Sequence, residues 1–137
     1  MTEHFKLEEF LKSNTAKEKG IDNTPNEEQL DNLKFVAEQL ELIRLAYNNK
    51  PMFITSGFRS EELNKAIGGA KKSQHMQGLA VDINQGSPRR NHNLFLIIKR
   101  MMKVGLPVGQ LIDEKKYSWI HVSFEPNNPR LQVLHLK

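Results

Sequence analysis

The residues whose types and spacing best suit chemistry lie in Ser73-Gln74-His75-Met76-Gln77-Gly78-Leu79-Ala80-Val81-Asp82-Ile83-Asn84. From Leu79 onward the run alternates as a strand does, with Leu79, Val81 and Ile83 on one face and Ala80, Asp82 and Asn84 on the other. An ionised aspartate in mid-strand is costly to desolvate unless it is paired, hydrogen-bonded or bound to a metal. Taken alone, Asp82 also fits a partly exposed carboxylate on an edge strand. A second run, Tyr117 to Phe124, alternates Ile120, Val122 and Phe124 against Trp119, His121 and Ser123. If the two strands are neighbours with those faces aligned, His75, Asp82 and His121 can meet at one ion and leave a fourth position for water, as catalytic zinc sites do. The chain has no cysteine, so disulfides and thiolate ligands are excluded and histidine and carboxylate are left as the metal donors.

Hydrolysis at such an ion also needs a base, and hairpin parity offers one. With Lys115 to Ser118 as a four-residue loop, Glu114 opposes Trp119 and Ile112 opposes His121, and opposed residues share a sheet face. Glu114 then projects on the His121 side and Asp113 faces away. A loop one residue longer or shorter reverses the parity, so Asp113 stays the alternative. Arg59 follows a short apolar run at a strand-to-helix junction, where a guanidinium can face a planar anion bidentately or simply form a surface ion pair. His4, His92 and His135 read as ordinary surface or partly buried histidines.

The elements that must position these groups follow from periodicity and capping. Residues 1 to 22 form a lead-in that docks a short helical turn through Phe5, Leu7, Phe10 and Leu11, ending at Gly20. Thr24-Pro25-Asn26-Glu27 predicts a helix start with Thr24 as cap and Glu27 closing a capping box. Leu30, Leu33, Val36, Ala37, Leu40, Ile43 and Tyr47 then make one apolar stripe on a core helix of about 22 residues. Met52 to Thr55 predicts a buried strand, and Ser60 caps a short helix over 61–66. Gln85 to Arg90 reads as a polar connector, with Asn91 or Asn93 capping a helix whose apolar face runs from Leu94 to Met102. Val108 to Ile112 is a strand, and Leu131 to Leu136 a last edge strand. The expected fold is α+β, a small, mainly antiparallel sheet packed against helices in one domain over residues 1–137.

Composition bounds the function. At 137 residues, 38% apolar and 26% charged, the chain reads as an ordinary globular protein. Its longest nearly apolar stretch, Leu94 to Ile98, is too short to span a bilayer. Met1 to Phe10 shows no secretory pattern, so synthesis for the cytoplasm, or export by another route, is expected. The net charge of +4 favours polyanions, yet the doublets Lys71-Lys72, Arg89-Arg90, Lys99-Arg100 and Lys115-Lys116 lack aromatic interleaving. They read as solvated surface pairs, which argues against nucleic-acid binding, and a monomer is expected.

The blocks Ile54-Thr55-Ser56-Gly57-Phe58-Arg59-Ser60, Ser73-x-His75-x-x-Gly78-x-Ala80-x-Asp82 and Trp119-Ile120-His121-Val122-Ser123, in that order, resemble the zinc D,D-peptidase family. That family contains D-alanyl-D-alanine carboxypeptidases, D-Ala-D-Ala dipeptidases and phage L-alanyl-D-glutamate endopeptidases, and shares its fold with the hedgehog signalling domain. The likeness covers roughly residues 5 to 125 and is greatest to short, single-domain members of phages and bacteria. It implies one zinc ion held by His75, Asp82 and His121, and a peptidoglycan peptide as substrate. It also implies Arg59 as the cation for the scissile carbonyl oxygen or a substrate carboxylate, and Ser73 as a hydrogen-bonding neighbour of the site. Many members carry the catalytic carboxylate three residues before the last histidine, where this chain has Ser118. In the short relatives a glutamate earlier in the hairpin takes that role, and Glu114 matches it. The departure at Ser118 leaves a rival open, a metal-binding structural or phage-particle module without catalysis.

Overall fold

The computed structural model describes all 137 residues. Two short helices, α1 (Leu7–Leu11) and α2 (Asn14–Lys19), replace the single expected turn, and Gly20 ends the second in the left-handed conformation at φ 63°. The long helix α3 covers Glu27–Ala46. After it come β1 (Ile54–Ser56), α4 (Glu61–Ala66), a 3-10 turn at Gln74–Gln77, β2 (Ala80–Ile83), α5 (Pro88–Met102), β3 (Val108–Glu114), β4 (Trp119–Phe124) and β5 (Gln132–Leu136). The strands form one sheet in the order β1-β2-β4-β3-β5. Its ladders are antiparallel except β3 with β5, which is parallel. This is the α+β architecture expected from the sequence.

Strands β2 and β4 divide their two faces by residue type. Val81, Ile83, Leu111, Ile120, Val122 and Phe124 join Leu33, Val36, Leu40 and Ile43 of α3 and Leu94, Phe95, Ile98 and Met102 of α5 in one buried cluster. Asp82 and His121 lie on the other face, directly opposed across the β2–β4 ladder. The alternation that made Asp82 conspicuous thus sends Val81 and Ile83 to the helices and Asp82 and His121 away from them.

Several boundaries differ from expectation, each for a local reason. The cap of α3 is Asn26, not Thr24: its side chain accepts from Gln29 N at 2.8 Å and the Gln29 side chain returns a bond to Asn26 N at 2.8 Å. The capping box is the same device two residues later, with glutamine in place of glutamate. Asn26→Ala is expected to lower the unfolding free energy by about 1 kcal/mol and Thr24→Ala by much less, read from urea titrations. Equal losses would put the cap back at Thr24. Helix α5 begins at Pro88 because Ser87 caps it, accepting from Arg90 N at 3.2 Å, and proline suits the first helical position. Asn91, expected as a cap, is instead buried, donating to the carbonyls of Tyr117 and Ser118 and accepting from Gln85 N. The strand expected over Met52 to Thr55 is a three-residue sheet edge with Phe53 and Thr55 exposed.

The lead-in is welded to the loop that carries Arg59. A Cβ on Gly57 would meet the Phe10 carbonyl oxygen at 2.6 Å, so only glycine permits this approach of the β1–α4 loop to α1. Phe58 N donates to the same carbonyl at 2.7 Å, and the Asn23 amide bridges Leu11 O, Phe58 O and Ser60 N.

Candidate metal centre

His75 stands on the 3-10 turn, which Ser73 caps by accepting the His75 backbone N–H at 3.2 Å. Gly78 closes the turn at φ 76°, and a Cβ there would lie 2.7 Å from Gln29 O, so glycine is needed for both conformation and space. Gln29 and Asn32 of α3 hold the turn from outside by donating to Met76 O and Gln77 O. The His75 ring is buried, 3% exposed. Its Nδ1 lies 2.7 Å from the Gly57 carbonyl oxygen, which can only accept, so Nδ1 carries the proton and Nε2 presents its lone pair inward. The backbone returns the tie, with Arg59 N donating to His75 O at 3.1 Å.

That lone pair faces an oxygen that is also an acceptor. His75 Nε2 is 3.3 Å and His121 Nδ1 3.0 Å from Asp82 Oδ1. Donor atoms of the three residues lie within 4.8 Å of one another. Burial pushes the Asp82 carboxyl up, but the two imidazoles set against it outweigh that, holding the group well below the ordinary aspartate value. Asp82 is therefore an anion with two imidazole nitrogens converging on one of its oxygens, and a cation at the centre satisfies all three. Zinc fits the donor set: with bonds of about 2.1 Å, a tetrahedral site spaces its ligand atoms about 3.4 Å apart, close to the 3.3 and 3.0 Å of the two histidine–aspartate pairs.

Arg59 closes the other side of Asp82. Its guanidinium is 3.4 Å from Asp82 Oδ2, and also donates to Ser56 Oγ at 3.3 Å and Asn64 Oδ1 at 3.2 Å. Burial draws its pKa down, and the Asp82 charge partly restores it. The junction position read from sequence thus places Arg59 beside the metal centre. Asn64, which the sequence reading passed over, is 3% exposed and also donates to Ala70 O at 2.8 Å. The signal for it was an amide next to Leu63, the apolar residue of a short helix whose other residues, Glu61, Glu62, Lys65 and Ala66, are exposed. Asn64→Ala is expected to lower the unfolding free energy by about 1–3 kcal/mol, since it bares the Ala70 carbonyl and one Arg59 donor. An unchanged urea midpoint would show that the amide fastens nothing.

The hairpin has the expected register, Ile112 opposite His121 and Glu114 opposite Trp119. Glu114 is on the His121 side of β3, two residues or about 7 Å along the strand, and outside the three-residue donor cluster. Asp113 is on the helix side, 6% exposed, accepting from Tyr117 N and lying 3.3 Å from His135 Nδ1. Ser118 is exposed and spends its hydroxyl on Lys115 O. Ser73 has its hydroxyl on the His75 amide, so it positions the turn.

A His-Asp-His donor set beside a small sheet is a centre that could hold a metal ion, and the family comparison says which class of protein carries it here. The model of the Peptidase M15 family matches residues 3–123, and the chain belongs to that family, the zinc D,D-peptidases. A zinc D-Ala-D-Ala carboxypeptidase of Streptomyces albus G is 43% identical over 49 residues, 36% of this chain. The aligned stretch spans 19% of that relative's length.

Proposed function

We propose that the protein hydrolyses peptide bonds in the peptide chains of bacterial peptidoglycan, using one zinc ion held by His75, Asp82 and His121. The observation that carries this reading is the convergence of His75 Nε2, Asp82 Oδ1 and His121 Nδ1 beside the Arg59 guanidinium. Family membership and the carboxypeptidase relative support the reaction class. Zinc in such a site supplies a Lewis acid that polarises a carbonyl and lowers the pKa of water towards about 7.

The chain's own residues supply the rest. Glu114, on the His121 side of the hairpin, takes a proton from the attacking water and returns it to the leaving amine. Arg59 holds the scissile carbonyl oxygen as charge develops on it, or a carboxylate of the substrate. Ser73 and the Gly57 carbonyl keep His75 in place and in the Nδ1–H tautomer. Such a protein acts outside the cytoplasmic membrane and reaches the wall by release or export.

The test is incubation of zinc-loaded protein with purified peptidoglycan of several chemotypes, followed by mass analysis of released fragments. Loss of terminal D-alanine identifies a carboxypeptidase, and new internal ends identify an endopeptidase. Unchanged sacculi in every chemotype overturn the reading in favour of a metal-binding module without catalysis.

A further inference from the structure

A groove of about 990 Å³ lies apart from His75, Asp82 and His121 and collects cations that have no counter-charge. Lys50, from the α3–β1 connection, and Arg89 and Arg90, from the first turn of α5, line it, and no carboxylate does. None of the three takes part in an ion pair anywhere in the structure. Unpaired like charges in a concave surface focus the field on whatever enters. The groove also has apolar faces: Phe53 is 57% exposed, and Lys50 Nζ lies 5.5 Å over the Tyr47 ring. Asn93 adds an amide to its lining.

The groove's floor is fixed. Gln85, 6% exposed, accepts from Phe53 N at 2.8 Å and donates to Pro51 O at 2.8 Å and to the Tyr47 hydroxyl at 3.3 Å. Asn91 Oδ1 accepts from Gln85 N at 2.7 Å. The segments carrying Tyr47, Phe53 and the α5 start are therefore tied to one another by the chain's own hydrogen bonds, as suits a preformed binding site.

We propose that this groove binds a sugar–phosphate polymer attached to the cell wall; the proposal rests on the wall-directed function given above. The exposed Phe53 ring suits the face of one sugar, amides suit hydroxyls, and arginine forks suit phosphates. The volume is at the upper end of the roughly 300–1,000 Å³ of single-ligand pockets, and three separate cations match a stretch of chain better than one carboxylate. Position gives the site a purpose. Gln85 is three residues beyond Asp82, about 10 Å along the strand direction, so a polymer held here keeps the peptides of the same wall segment near the metal centre. Single-stranded nucleic acid shares the phosphate but is bound on successive stacking platforms, whereas Phe53 is the one strongly exposed aromatic here.

The experiment is co-sedimentation of the full chain with Gram-positive sacculi carrying wall teichoic acid, and with the same sacculi stripped of it by hydrofluoric acid. A single-stranded oligonucleotide is the comparison ligand. The parent is expected to bind the unstripped sacculi about 10-fold or more tightly, with the preference fading as salt rises. Lys50→Gln/Arg89→Gln/Arg90→Gln is expected to lose the preference. Lys99→Gln/Arg100→Gln/Lys103→Gln, an equal charge change on exposed residues elsewhere on α5 and just beyond it, is expected to keep it. Thermal melts identify a groove variant that fails to fold, in which case the single Arg89→Gln is expected to show a partial loss. Equal binding to both sacculi by the parent, equal losses in both triple variants, or an oligonucleotide bound as tightly as unstripped sacculi would overturn the proposal. Binding is read on chelator-treated protein as well, so preference without hydrolysis sinks only the peptidase reading, and hydrolysis without preference sinks only this one.

Discussion

Asp82→Ala is expected to lose zinc by more than about 100-fold in affinity and to lose hydrolysis with it, because even outer partners of metal ligands are worth about 10–100-fold. The substitution removes the only oxygen donor of the cluster and leaves two imidazoles beside the Arg59 guanidinium, a site that repels a cation. It also leaves Arg59, mostly buried, without its counter-charge, so some loss of stability accompanies the loss of metal. His75→Ala and His121→Ala separate the two effects, since each removes a donor and keeps the Arg59–Asp82 pair. Near-stoichiometric zinc in all three purified variants would remove these residues from the metal site.

Glu114→Gln is expected to keep zinc and lose turnover by about 10²–10⁴-fold, the usual contribution of a general base. Glutamine preserves the shape and cannot accept the proton. Asp113→Asn is the paired control. Asp113 sits on the helix side of β3 and accepts from Tyr117 N, a bond that asparagine can also accept, so its turnover is expected to stay near that of the parent. A dead Asp113→Asn beside a fully active Glu114→Gln would mean that the hairpin reaches the site from its other face.

The sequence carried the site further than the scaffold. Alternation put Asp82 and His121 on the non-core faces of their strands, and loop length set the register of Ile112 against His121. Both follow from the strict period of two, which a single buried face enforces. What alternation cannot carry is the order of strands: that β2 lies directly beside β4, and β5 runs parallel to β3, depends on chain crossings with no local signature. The helix starts at Asn26 and Ser87 were displaced because polar residues within a few positions of each other offer the same cap, and tertiary contacts choose among them. Asn91 shows the choice: its amide is drawn inward to Gln85 and the hairpin carbonyls, which leaves capping to Ser87. The lock on the His75 tautomer was invisible for another reason, since its acceptor is a backbone carbonyl that any residue type supplies.

The most direct measurement is the rate of free-amine release from purified peptidoglycan by the full chain, stripped with chelator and then titrated with zinc. Release that vanishes on stripping, returns as zinc is restored, and stays absent in zinc-treated Asp82→Ala is the result expected if His75, Asp82 and His121 hold the working ion. Release that is indifferent to chelator, or that zinc restores equally in Asp82→Ala, would contradict it.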